Sequence, residues 1–84
     1  MLKLFVKSGC PWCAQAEAWL QQHGYRYESV DVLRDADAFA EMRKLSGQSL
    51  APTLDAGDNR ILPDFDTDQL EKFLHKHKIA PTHS

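Results

Sequence analysis

The chain has 84 residues, of which 43% are hydrophobic and 26% charged, with a net charge of −2 and two cysteines, a composition that fits one small globular domain with a modest core. That charge leaves no basic footprint for nucleic acid, and no apolar stretch reaches the roughly 20 residues that a bilayer span requires. Met1 to Val6 lacks the extended apolar core and small-residue cleavage site of a secretion signal, so a cytoplasmic monomer with neither nucleic acid nor membrane as partner is expected.

In chain order, Leu2 to Val6 is a short apolar run that ends at Ser8-Gly9 and reads as a buried strand. Pro11 to His23 reads as a helix with Cys13, Ala16, Leu20 and His23 on one face, Trp19 beside it and Gly24 as its stop. Tyr25 to Val32 alternates in part and reads as a second strand. Asp35 to Leu45 carries the helical stripe Ala38, Phe39, Met42 and Leu45, closed by Gly47. Thr53 to Ala56 and Arg60 to Leu62 flank the turn cluster Gly57-Asp58-Asn59 and read as a hairpin. Asp66, with Gln69 three residues later, has the pattern of a capping box that opens a last helix through Leu70, Phe73 and Leu74. The order β-α-β-α-β-β-α is that of an α/β protein with a parallel pair and a closing antiparallel hairpin. A single domain spans 1–84, with a flexible tail from about residue 79.

The chemistry lies at Cys10-Pro11-Trp12-Cys13. Two cysteines separated by two residues at a strand–helix junction read as a reversible dithiol, not as a staple between distant segments. In a reducing compartment that reading strengthens. Cys10 stands at a helix N-terminus, where unpaired N–H groups and the macrodipole favour an anion, and Pro11 fixes the helix start. Lys7 can bring a cation to the thiolate. Cys13 lies one turn deeper, so Cys10 is the expected nucleophile and Cys13 the resolving thiol. Two cysteines supply half of a tetrahedral zinc shell, and no second pair stands at ligand spacing, so no metal site is expected. His75, His77 and His83 lie in a polar stretch and read as solvated surface. Pro52, before the third strand, marks an edge or a special turn, a cis bond among the options.

With dithiol, strand order and pre-strand proline together, the chain resembles the glutaredoxins of the thioredoxin fold. The resemblance rests on Lys7-Ser8-Gly9-Cys10-Pro11-Trp12-Cys13 and on Leu45-Ser46-Gly47-Gln48 followed by Ala51-Pro52, and it covers nearly the whole length. It implies a thioredoxin-like fold with a central four-stranded mixed sheet flanked by three helices. It implies that Pro52 is cis and faces the dithiol, that the backbone of Ala51 pairs with the cysteinyl part of glutathione, and that Lys7 and Gln48 hold the glycine carboxylate. Trp12 would take the aromatic place in the active-site loop, with Phe65 and Asp66 at the γ-glutamyl end of the groove. Two positions depart from the family: Leu62-Pro63, followed by Asp64, stands where Gly-Gly is usual, and Ser49 stands where a cation often follows the glutamine.

The function these residues imply is a glutathione-dependent thiol–disulfide oxidoreductase that reduces protein disulfides and glutathionylated proteins through Cys10 and Cys13. No tightly bound cofactor is expected, and glutathione serves as co-substrate. One alternative keeps the chemistry but takes its electrons from thioredoxin reductase, which Leu62-Pro63 favours. Another makes the chain a glutathione-assisted carrier of an iron–sulfur cluster, against which Pro11 counts.

Overall fold

The computed structural model describes residues 2–81. Seven elements follow one another: β1 (Leu2–Val6), α1 (Pro11–Gln22), β2 (Tyr27–Asp31), α2 (Ala36–Ser46), β3 (Thr53–Asp55), β4 (Ile61–Pro63) and α3 (Thr67–Lys76). They form one four-stranded sheet in the order β2-β1-β3-β4. β1 runs parallel to β2 and antiparallel to β3, which in turn pairs antiparallel with β4. The thioredoxin-like arrangement implied by the sequence is therefore present, with a mixed sheet and three helices.

Strand alternation divides the core between the two faces of the sheet. Leu2, Leu4 and Val6 pack with Cys13, Ala16 and Leu20 of α1 and with Leu70, Phe73 and Leu74 of α3. Phe5 points the other way, to Ala38 and Met42 of α2. β1 is thus covered on both faces, which is why its sequence is a nearly unbroken apolar run. Lys3 is the exception on that strand, and its Nζ meets Glu41 of α2 at 2.8 Å.

Local chemistry sets the ends of the helices. Asp35 caps α2 by accepting the Ala38 N–H at 3.1 Å. Gly47 ends the same helix in the left-handed region at φ 72°, its N–H on Arg43 O at 2.8 Å. The capping box at α3 forms in full: Asp66 accepts the Gln69 N–H at 2.8 Å, and Gln69 Oε1 accepts the Asp66 N–H at 3.0 Å.

Several boundaries differ from the sequence reading, and α1 ends at Gln22 with His23 an exposed C-cap off the buried face. β2 begins at Tyr27 instead of Tyr25, because the Tyr25 N–H bonds Leu20 O at 2.9 Å at the end of α1 and its ring enters the core. β4 runs on to Pro63, a sheet-edge position where the missing N–H costs no ladder bond. The expected flexible tail does not start at Ile79, whose N–H bonds Leu74 O at 2.8 Å and whose carbonyl accepts the Tyr25 hydroxyl at 3.1 Å. The rest of that tail reaches residues 82–84, His83 among them, which lie outside the described residues.

Leu54 is fully buried in β3, opposite Leu4 of β1 and Leu62 of β4. Leu54→Ala is expected to cost about 3 kcal/mol by urea denaturation, the usual size of a buried methyl-deletion cavity. A loss below about 1 kcal/mol would contradict the packing described.

Candidate active site

The loop after β1 turns back at Lys7, whose carbonyl accepts the Cys10 N–H at 3.1 Å, and Gly9 there has φ 80°. Only a residue without Cβ takes that conformation freely. Cys10 then stands as N-cap of α1, with Pro11 at its first position. An N-cap side chain receives a backbone N–H from the first turn, and here the acceptor is sulfur: the Cys13 N–H points at Cys10 Sγ across 3.2 Å. The one group that caps the helix is thus also the group the chemistry needs as an anion.

The two thiols occupy unlike surroundings. Cys10 is half-buried, whereas Cys13 is 2% exposed among the apolar side chains under α1. Burial, and next its hydrogen bond to Cys10, pushes the Cys13 thiol up to about 12. Cys13 is therefore a protonated thiol near neutral pH, and Cys10 is the sulfur that a substrate reaches first.

Across from the dithiol lies the loop that leads into β3. The Ala51-Pro52 bond is cis, as the family resemblance implies, and Ala51 O lies 3.9 Å from Cys10 Sγ. Thr53, fully buried, ties this loop by donating its hydroxyl to Leu50 O at 2.8 Å. Gln48 finishes the tie. Its Nε2 donates to Ser46 Oγ at 2.9 Å and to Thr53 Oγ1 at 3.1 Å, and its Oε1 accepts the Leu50 N–H. Both amide hydrogens of Gln48, expected to face a ligand carboxylate, are used within the loop.

Lys7 also sits differently from the sequence expectation. Its ammonium lies 5.8 Å from the centroid of the Phe39 ring on α2, a cation–π contact, and no hydrogen bond to Cys10 comes from it. Trp12 is 58% exposed on the first turn of α1 and shares a shallow depression with Asp64, Phe65, Asp66 and Gln69. Phe65, expected near the groove, is chiefly a core residue at 3% exposure. Asp66 caps α3, and Asp64 adjoins it at φ 46°. The dithiol and the Ala51-Pro52 loop thus converge, Lys7 lines the cleft beside the two sulfurs with its ammonium over Phe39, and the side chain of Gln48 is engaged within its own loop.

Sequence reasoning missed Thr53 and Glu17. Thr53 holds the loop; only its place directly after Pro52 hinted at that. Glu17 follows Cys13 by four residues, one helical turn on the same face, and lines the cleft behind the dithiol.

A dithiol at the first turn of the first helix, beside a cis proline before the third strand, defines a thioredoxin-fold thiol redox protein. The Glutaredoxin family model matches residues 2–61, and the chain belongs to the glutaredoxin family. It is 30% identical over 76 residues to an uncharacterized glutaredoxin-like 8.6 kDa protein in the rubredoxin operon of Clostridium pasteurianum, covering 90% of this chain and 100% of that one. The thioredoxin-like protein BC3987 superimposes with a TM-score of 0.78 at 23% identity, covering 88% of this chain and 100% of that chain. The glutaredoxin-like NrdH-redoxin of Escherichia coli, described as having a thioredoxin-like activity profile, superimposes with a TM-score of 0.70 at 22% identity, covering 84% and 91%. At these identities the two structures show a shared fold.

Because the Cys13 proton is held more tightly in the folded chain than at its ordinary value of 9.0, its contribution to stability is complete below that pH. It is lost as pH rises toward about 12. Tyr25 and Tyr27, both raised first by burial, act in the same direction. Chemical denaturation over that alkaline range is expected to show a steeper loss for the native protein than for Cys13→Ala; parallel curves would contradict the assignment.

Proposed function

We propose that this glutaredoxin is a dithiol reductase of protein disulfides that is reset chiefly by a thioredoxin reductase type of enzyme, with glutathione a weak co-substrate. The Cys10 thiolate attacks a substrate disulfide and expels one substrate thiolate, leaving a mixed disulfide on Cys10. Cys13 then attacks Cys10 Sγ, expels the second substrate thiolate and closes the Cys10–Cys13 disulfide. Two electrons have passed to the substrate, and a flavin reductase drawing on NADPH returns them.

The observation that carries this reading is the turn before α3. Glutathione bears a carboxylate at each end, the γ-glutamyl one beside an ammonium, and that carboxylate needs open backbone donors or a cation at this turn. This turn offers two carboxylates, Asp64 and Asp66, and the Asp66 N–H is already taken by Gln69. The inward-tied Gln48 and the Lys7 ammonium over Phe39 weaken the grip on the glycine end in the same sense. Unlike a tripeptide anion, a protein surface does not depend on these contacts.

A second reading keeps glutathione as the main reductant. It is favoured by Ala51, whose N–H takes no partner among the described residues and whose carbonyl faces Cys10, leaving its backbone groups ready to pair with a cysteinyl backbone. That pairing also suits any extended peptide disulfide, so it does not single out glutathione. The cluster-carrier alternative draws no comparable support from the site.

NADPH oxidation with a protein disulfide as acceptor separates the two readings. Thioredoxin reductase is expected to drive turnover at least about tenfold faster than glutathione with glutathione reductase, and the reverse order would overturn the proposal. Asp66→Ser keeps a good N-cap while removing one charge. It is expected to raise kcat/KM for glutathione by less than the roughly fivefold scale of one unit charge at about 4 Å in water, because the neighbouring ammonium offsets part of the repulsion. An unchanged value would show that the acidic turn does not disfavour glutathione.

A further inference from the structure

The resolving step poses a chemical problem that the dithiol alone does not solve. Cys13 must become a thiolate to attack the mixed disulfide, yet it is buried and binds its proton tightly. Its backbone neighbours offer hydrogen-bond donors and no base. Behind the pair, however, the structure opens a cleft of about 350 Å³ whose lining includes Cys13, Glu17 and Asp31. That volume holds several waters and leads out to solvent.

We propose that Glu17 is the base that takes the Cys13 proton, through water in this cleft, as the resolving bond forms. Glu17 is half-buried and stands one turn beyond Cys13 on the same face of α1. Its orientation is fixed by a short chain: Gln21 Nε2 donates to the Tyr27 hydroxyl at 2.8 Å, which donates to Glu17 Oε1 at 2.9 Å. Oε2 takes no hydrogen bond among the described residues, so one oxygen is left to accept a proton.

Of the other charged or titratable groups that line this cleft, Cys10 is the sulfur under attack, and Lys7, from the loop after β1, holds its ammonium over Phe39. Asp31, from β2, is the only rival carboxylate. It is engaged by the Ser8 hydroxyl, by the Leu33 N–H at 2.9 Å and by Arg34 at 3.8 Å. The Ser8 hydrogen bond first, then that of Leu33, holds its carboxyl below the ordinary range and makes it a poorer proton acceptor.

The step balances as follows. The Cys13 sulfur passes its proton by way of water to Glu17 and bonds to Cys10 Sγ. The bond from Cys10 to the substrate sulfur breaks, its electron pair leaving on the substrate as a thiolate. Glu17 then releases the proton along the cleft to bulk water or to the departing thiolate.

The proposal rests on the dithiol reading of the site, and a symmetrical nitrobenzoate disulfide tests the two separately by stopped flow. One coloured thiolate is released when Cys10 attacks, and a second when Cys13 resolves. In Glu17→Gln the first release is expected to stay within about twofold of native. The second is expected to slow at least about tenfold at pH 7, a modest share of what a positioned general base supplies. It should also gain a rise with pH between 6 and 8 that the native protein lacks, because hydroxide then replaces the carboxylate as base.

The sign of the change is decisive. If Glu17 acted only as a nearby negative charge, its removal would ease ionisation of Cys13 and the second release would become faster. A second release that is unchanged or faster overturns the assignment of Glu17, whereas loss of the first release overturns the dithiol reading and this proposal with it. Should Glu17→Gln not fold, Tyr27→Phe carries the same test, since Glu17 then loses the hydroxyl that orients it. A slower second release with the first unchanged is then expected, and an unchanged or faster second release overturns the proposal.

Discussion

The backbone N–H of Cys13 points at Cys10 Sγ across 3.2 Å, and the arrangement of the site follows from that one hydrogen bond. It makes the sulfur of Cys10 the cap of α1, so the helix can begin only with that sulfur at its positive end. The helix must also bury Ala16 and Leu20 against β1. Together these two constraints decide which thiol faces out: the one at the cap sits at the rim, and the one a turn later falls on the buried face. The roles proposed for the two sulfurs, nucleophile and resolving thiol, thus follow from the packing of α1.

The opposite wall is built by different means. Residues between α2 and β3 have no sheet ladder to hold them, so side chains do it: Thr53 to Leu50, and Gln48 to Ser46, Thr53 and Leu50. This network spends the polar groups that the loop could otherwise have offered to a ligand. What remains is backbone, the N–H and C=O of Ala51 beside cis Pro52, together with the exposed indole of Trp12. Such a surface suits an extended segment of a protein substrate. The carboxylates before α3 add a charge that disfavours small anions. The same residues that fasten the fold therefore carry the choice of electron donor proposed above.

Much of this was legible in the chain. The dithiol at a strand–helix junction, Gly47 as a helix stop and Asp66 with Gln69 as a capping box each depend on residues a few positions apart, where local chemistry decides. The misplacements depend on how the chain folds back, onto distant partners or, for Gln48, onto its own loop. Lys7 reaches Phe39 of α2, Gln48 reaches Thr53 across a loop, and Tyr25 leaves its strand to hold Ile79 from 54 residues away. No spacing rule announces such contacts, because they depend on the path of the folded chain. Glu17 lies between these cases. Its helical register with Cys13 was visible, but the open cleft beside it was not.

The central claim is that burial, set by the first turn of α1, assigns attack to Cys10 and release to Cys13. Trapping tests it most directly: each single cysteine-to-serine variant is mixed with a disulfide-containing protein and the covalent adduct is located by mass spectrometry. Cys13→Ser is expected to accumulate a mixed disulfide on Cys10, while Cys10→Ser accumulates essentially none. An adduct on Cys13 that forms at a comparable rate would contradict the assignment.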